Sequence, residues 1–141
     1  MLLFVPLMSI VSAASPEPAL LPPEGGSIAG VAVALTFRPG PGALVSIDGC
    51  SAVELERQEG DRWVPARSSV TCDGTAVALL VPAELVLTVA SPAAGTFRGV
   101  VAWGTGCVAG RSFARAACGA RGVARSEAFT VAAPPPVPAQ R

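Results

Sequence analysis

Glycine and proline interrupt this chain at short intervals: 15 Gly and 14 Pro fall among its 141 residues. The apolar residues between them alternate. Val31, Val33, Leu35 and Phe37 share one face of an extended segment and Ala32, Ala34 and Thr36 the other, the period of two that a half-buried strand requires. A second short strand is predicted at 44–47, reached through the turn Pro39-Gly40-Pro41-Gly42. Across 52–57, Val53 and Leu55 point inward while Glu54 and Glu56 point outward, and Glu59-Gly60-Asp61 then turns the chain back into Arg62-Trp63-Val64, a hairpin signal. Further strands are predicted at 69–72, 75–81, 85–90, 96–103 and 127–131. Only 112–117 has helix-favouring composition, and Gly110 and Gly119 bound it, so one turn of helix within a loop is the most expected there.

Short strands with frequent turns predict an all-β chain, a single immunoglobulin-like antiparallel β-sandwich of seven to eight strands over 27–131, with a small β-barrel as the alternative. Of 72 apolar residues, 26 are Ala and 18 are Val, which implies a modest, Val-rich core, with Trp63 and Trp103 its natural large residues. Segment 15–26, with four Pro and two Gly, reads as a linker, and 132–141, with four more Pro, as a polyproline-like disordered tail. Residues 1–14 form an uncharged apolar run ending in small residues, the pattern of a cleaved signal peptide, although no Lys or Arg precedes it. Such a run is shorter than the roughly 20 residues a membrane span needs, so no transmembrane span is expected.

The cysteines are Cys50, Cys72, Cys107 and Cys118, an even number in a chain expected to be secreted or periplasmic, and they are read as disulfides. Gaps of 21, 34 and 10 residues between neighbours do not suit a four-thiolate zinc site, so neither metal nor cofactor is expected. The sequential pairing, Cys50 with Cys72 and Cys107 with Cys118, is preferred because each pair brackets a hairpin-sized segment. Each bridge would contribute about 3 kcal/mol.

Lys, His, Tyr and Asn are absent. A Ser-His-Asp triad, a Cys-His dyad, an imidazole base and a Schiff-base lysine are thereby excluded. The acids considered for catalysis, Asp48, Asp73, Glu54, Glu56, Glu59, Asp61, Glu84 and Glu127, offer no paired arrangement in a cleft, and the chain is read as not an enzyme. Net charge is zero, but 1–84 holds nine acids and four Arg whereas 85–141 holds one acid and six Arg. Arg111, Arg115, Arg121 and Arg125 fall in an acid-free, Gly-rich segment, a candidate site for an anionic polymer or an envelope or extracellular protein. The bland alternative is that they are solvated or pair with Glu54, Glu56 and Glu59. Nucleic acid is not an expected partner, given zero net charge and 5% aromatic residues. Three roles follow: a binding or adaptor module, a structural spacer, or a proteinase-inhibitor-like presenter of Arg111 or Arg115 on a disulfide-closed loop.

The succession Cys50, Leu55-Glu56-Arg57, Gly60-Asp61-Arg62-Trp63, Cys72, Pro82, Gly95-Thr96-Phe97-Arg98 and Phe129-Thr130-Val131 resembles uncharacterised immunoglobulin-like domains of exported bacterial proteins and lipoproteins. The resemblance spans 31–131, departs from the pattern at Cys107 and Cys118, and has Phe97 where a Tyr is also used. It implies a fold and an envelope location, and it carries no catalytic residues.

Overall fold

The computed structural model describes residues 17–42, 44–68, 77–90 and 93–138. Its spine is an 11-residue strand whose small and apolar side chains alternate inward. In chain order the strands are β1 (Ala19–Leu21), β2 (Ser27–Ile28), β3 (Val33–Arg38), β4 (Val45–Asp48), β5 (Glu54–Glu59), β6 (Arg62–Ser68), β7 (Ala78–Val81), β8 (Leu85–Val89), β9 (Gly95–Thr105), β10 (Ala120–Arg125) and β11 (Phe129–Ala132). No helix occurs among the described residues.

Phe97 pairs with both Arg57 and Phe129, and Trp103 with both Ile47 and Gly122, so β9 is flanked on both sides along its length. One flank is β5 followed by β4; the other is β11 followed by β10. Each flank is a single course with an interruption. Between β4 and β5 the Asp48 carboxylate accepts hydrogen bonds from the backbone N–H of Cys50 at 2.8 Å and of Ser51 at 3.0 Å, holding the chain in a side-chain-closed turn. Between β10 and β11 the buried Ser126 hydroxyl accepts from the Gly99 N–H at 2.8 Å while the Ser126 N–H donates to the Gly99 carbonyl at 2.9 Å. A side chain thus replaces the lost ladder bond. Outward lie β6 on β5, β7 on β4, and β2, which runs parallel to β11.

The second sheet has the order β1-β3-β8, antiparallel throughout. Its inner face (Leu20, Val33, Leu35, Phe37, Leu87 and Val89) packs on Val45, Ile47, Leu55, Val81, Phe97 and Val101 of the large sheet. At Gly99 an added Cβ would lie 2.4 Å from Leu35 Cδ2 and 2.9 Å from Leu20 Cδ2, so the two sheets touch there and only glycine fits. Both sheets are open, which makes the fold an all-β sandwich and not a closed barrel.

Among the described residues there are eleven strands, against the expected seven to eight. β1 lies inside the segment read as a linker. Three residues between Pro18 and Pro22 suffice for a short strand, and Leu20, 4% exposed, anchors it in the core. The sandwich therefore includes Ala19–Leu21. β10 escapes a search for alternation because Ala-Arg-Gly-Val-Ala-Arg offers no large inward residue. The parallel β2–β11 pairing departs from a wholly antiparallel design. Neither tryptophan is a fully buried core residue: Phe37, Phe97 and Leu35 take that role, Trp103 is half-buried against the core, and Trp63 lies on the outer face. Residues 133–138 are exposed and outside any strand. The predicted signal at 1–14 and strand at 69–72 lie outside the described residues.

Candidate functional site

The β9–β10 connection, residues 106–119, holds two of the four candidate arginines and is built outward from the hairpin ladder. Ala120 pairs with Thr105, and the same register places Cys118 opposite Cys107, where the two are joined as a disulfide. The Gly119 N–H donates to Thr105 O at 2.8 Å and the Val108 N–H to Ala117 O at 2.9 Å, carrying the ladder past the bridge. The disulfide rests on Gly104: a Cβ there would come within 2.7 Å of Cys107 Sγ and 2.8 Å of Cys118 Sγ. The preferred pairing is thus present for Cys107 and Cys118. Cys50 is also disulfide-bonded, and Cys72, its expected partner, lies outside the described residues.

Beyond the bridge the loop folds back over the outer face of the large sheet. Ser112 forms an isolated bridge with Val77, and the Ala78 N–H donates to Arg111 O at 3.2 Å, so the loop caps part of the β7 edge. The N–H groups of Arg115 and Ala116 donate to Ser112 O at 3.0 and 2.8 Å, forming the one tight turn that composition suggested. Phe113 and Ala116 are buried, at 5% and 6% exposure, and Phe113 shares a depression of about 170 Å³ with Val100, Ala102 and Glu54.

Arg121 closes the arrangement. From β10 its guanidinium donates to the carbonyls of Phe113 and Ala116, both at 2.6 Å, and its Cζ lies 4.7 Å from the centroid of the Phe113 ring. Two of the five N–H donors of its guanidinium are thereby fixed on backbone carbonyls. Arg121 is therefore a structural clamp. Arg111, Arg115 and Arg125 are exposed, and none of them forms an ion pair with a described residue. The four arginines do not form one cluster of equivalent cations.

The acids are arranged differently from the expected cross-domain pairing. Glu56 accepts from Arg98 Nε at 2.7 Å, the two side chains being 21% and 24% exposed, and the Arg98 guanidinium lies 4.5 Å over the Trp63 ring. Arg98 and Trp63 were outside the candidate set; Glu56 and Arg98 are direct cross-strand partners, visible only once β5 and β9 are in register. Glu84 pairs with Arg38 on the other sheet, and the Asp48 carboxylate is held by two backbone N–H groups. Glu54 and Arg125 both stand opposite Val100, on opposite flanks, so their backbones are about 10 Å apart at two strand spacings.

This geometry also bears on the inhibitor reading. Residues around Arg111 are held to β7 by backbone hydrogen bonds and Phe113 is buried, whereas insertion into a protease cleft requires a free extended stretch on both sides of the arginine. On the opposite side a groove of about 350 Å³ runs past Pro23, Glu24, Ile28, Val31, Ala34 and Val86, with Glu24 as the charged residue of its lining.

A disulfide in the structure accords with an oxidising compartment, and among the described residues no helix is long and apolar enough to cross a membrane. Compared with models of protein families, with curated proteins and with solved structures, the chain matches none of them.

Proposed function

We propose that the chain is a non-enzymatic, exported binding module that presents Arg111, Arg115 and Arg125 to an anionic partner in the cell envelope or outside it. The observation that carries this reading is the contrast within one loop: the disulfide, the Arg121 clamp and buried Phe113 fix its backbone, while Arg111 and Arg115 stay exposed and unpaired among the described residues. A loop ordered before binding loses little conformational entropy on association, so its charges act at full effect. Export is supported by the disulfide and by the apolar run at 1–14.

The test reverses charge at Arg111, Arg115 and Arg125 together and leaves Arg121 in place. The triple variant should keep its circular dichroism spectrum and lose an envelope partner captured by the parent, with capture by the parent weakening as salt is raised. An unchanged partner set rejects the arginine surface and leaves the structural-spacer role.

A further inference from the structure

The outer face of β4 and β7 meets the base of the disulfide-closed loop in a depression of about 230 Å³. Leu44, Ser46, Ala78, Leu80, Cys107 and Ala109 line it, and no lining residue is charged. The register explains the meeting. Ser46 stands opposite Leu80 on β7 and Gly104 on β9, and the Cys107–Cys118 pair rests on Gly104. The aliphatic rim lies outside the core: Leu44 is 69%, Leu80 51% and Val108, next to Cys107, 52% exposed. One exposed leucine needs no explanation, but three aliphatic side chains around one uncharged depression do. Cations stand at its margin. The Ala78 N–H donates to Arg111 O at 3.2 Å, which fixes the Arg111 backbone against a lining residue. Arg115 follows in the turn closed on Ser112 O, and Ser112 bridges to Val77. Both arginines are exposed, and 104–125 contains no acid. Asp48, opposite Ala78, has its carboxylate held by the N–H groups of Cys50 and Ser51.

We infer that this surface docks on an anionic phospholipid bilayer, with Leu44, Leu80 and Val108 entering the acyl boundary and Arg111 and Arg115 at the level of the phosphates. The inference rests on the reading of Arg111 and Arg115 as a site for an anionic partner, and it names the class of that partner. A soluble anionic polymer would engage the guanidiniums and leave the aliphatic rim in water. A protein interface is usually centred on aromatic anchors, whereas no aromatic residue lines this depression and the loop's own Phe113 is buried. A bilayer answers both halves of the surface. Its fluid acyl chains fit aliphatic side chains of any outline, and its phosphates accept the paired N–H donors of arginine. Peripheral binding of this kind grows with the apolar area buried and with the attraction of cations to anionic lipid. The disulfide, seated between the two halves, holds the loop cations beside the aliphatic rim before contact.

The experiment is co-sedimentation of the full oxidised chain with phosphatidylcholine vesicles made with and without phosphatidylglycerol, alongside retention on immobilised dextran sulfate. The parent should pellet with the phosphatidylglycerol vesicles, not with phosphatidylcholine alone, and less as salt is raised. L44S/L80T/V108T should weaken vesicle binding at least about tenfold while keeping retention on dextran sulfate. R111E/R115E should weaken vesicle binding at least about tenfold and also lose retention. Circular dichroism of each variant checks that these exposed substitutions leave the fold intact. A parent held by dextran sulfate that pellets with neither kind of vesicle overturns the bilayer and leaves the arginine site standing, as does vesicle binding that L44S/L80T/V108T does not change. Vesicle binding and retention that R111E/R115E leaves unchanged overturn both.

Discussion

Gly122 lies under the indole of Trp103: a Cβ built on the glycine would stand 2.3 Å from Trp103 Cζ2 and 2.6 Å from Cε2. The two residues are cross-strand partners on the inner face of β10 and β9. An indole has few rotamers with which to retreat, so Gly122→Ala should cost about 1–3 kcal/mol through overpacking. The cost should largely vanish in a Trp103→Val background, where the ring is gone. Urea unfolding of the four proteins of this double-mutant cycle measures the coupling, and additive effects would mean that the ring and the glycine do not touch.

Leu20 makes a second test, because it decides whether the segment around it is a linker or part of the sandwich. Its side chain packs at the sheet contact beside Gly99 and is 4% exposed. Leu20→Ala should therefore destabilise the domain by about 2–4 kcal/mol, the usual range for a buried leucine. The neighbouring substitution Ala19→Ser, on the exposed side of β1, should change stability by less than about 0.5 kcal/mol. Equal, negligible effects at both positions would place β1 outside the cooperative unit.

How far the sequence discloses this fold depends on the size of the alternating residues. β3 announces itself because Val33, Leu35 and Phe37 are large and their partners small or polar; β5 and β6 do so through Leu55 and the tight turn at Gly60-Asp61. β10 stays hidden because its inward positions are Gly122 and Ala124, chosen to sit beneath Trp103 and beside the core, and glycine carries no hydrophobic signal. β1 stays hidden because four prolines surround a strand that needs only one buried side chain. At the candidate site, the cysteine spacing identified the Cys107–Cys118 loop. It could not separate Arg121 from Arg111 and Arg115, since that distinction rests on which guanidinium the register of β10 carries under the loop.

That distinction is itself measurable. Arg121→Ala removes two hydrogen bonds to backbone carbonyls and the contact over Phe113, and should cost about 1–3 kcal/mol. Arg111→Ala and Arg115→Ala remove exposed side chains and should stay within about 0.5 kcal/mol of the parent. Arg121→Lys should recover only part of the loss, because an ammonium can donate to the carbonyls but has no planar group to lie over the Phe113 ring. Comparable losses at all three arginines would show that the loop is held in another way.

The Cys107–Cys118 bridge closes a loop with ten residues between its cysteines, and the chain-entropy argument assigns it about 3 kcal/mol. Its removal has a local consequence that stability alone would not reveal. The pair rests on Gly104 at the base of the loop, whereas Arg121, Phe113 and the Ser112 bridge hold the far end. In a C107S/C118S variant the far-end contacts remain, but the two ladder bonds at Val108 and Gly119 are no longer backed by a covalent link. Trypsin should then cut after Arg111 or Arg115 much faster than in the parent, while cleavage after Arg98, in the middle of β9 and followed by Gly99, stays slow. Limited proteolysis followed by mass spectrometry gives both rates in one experiment. Faster cleavage at all sites alike would mean that the bridge stabilises the whole sandwich and does not specifically order the loop. Unchanged cleavage at Arg111 and Arg115 would mean that the Arg121 clamp alone is enough to hold it.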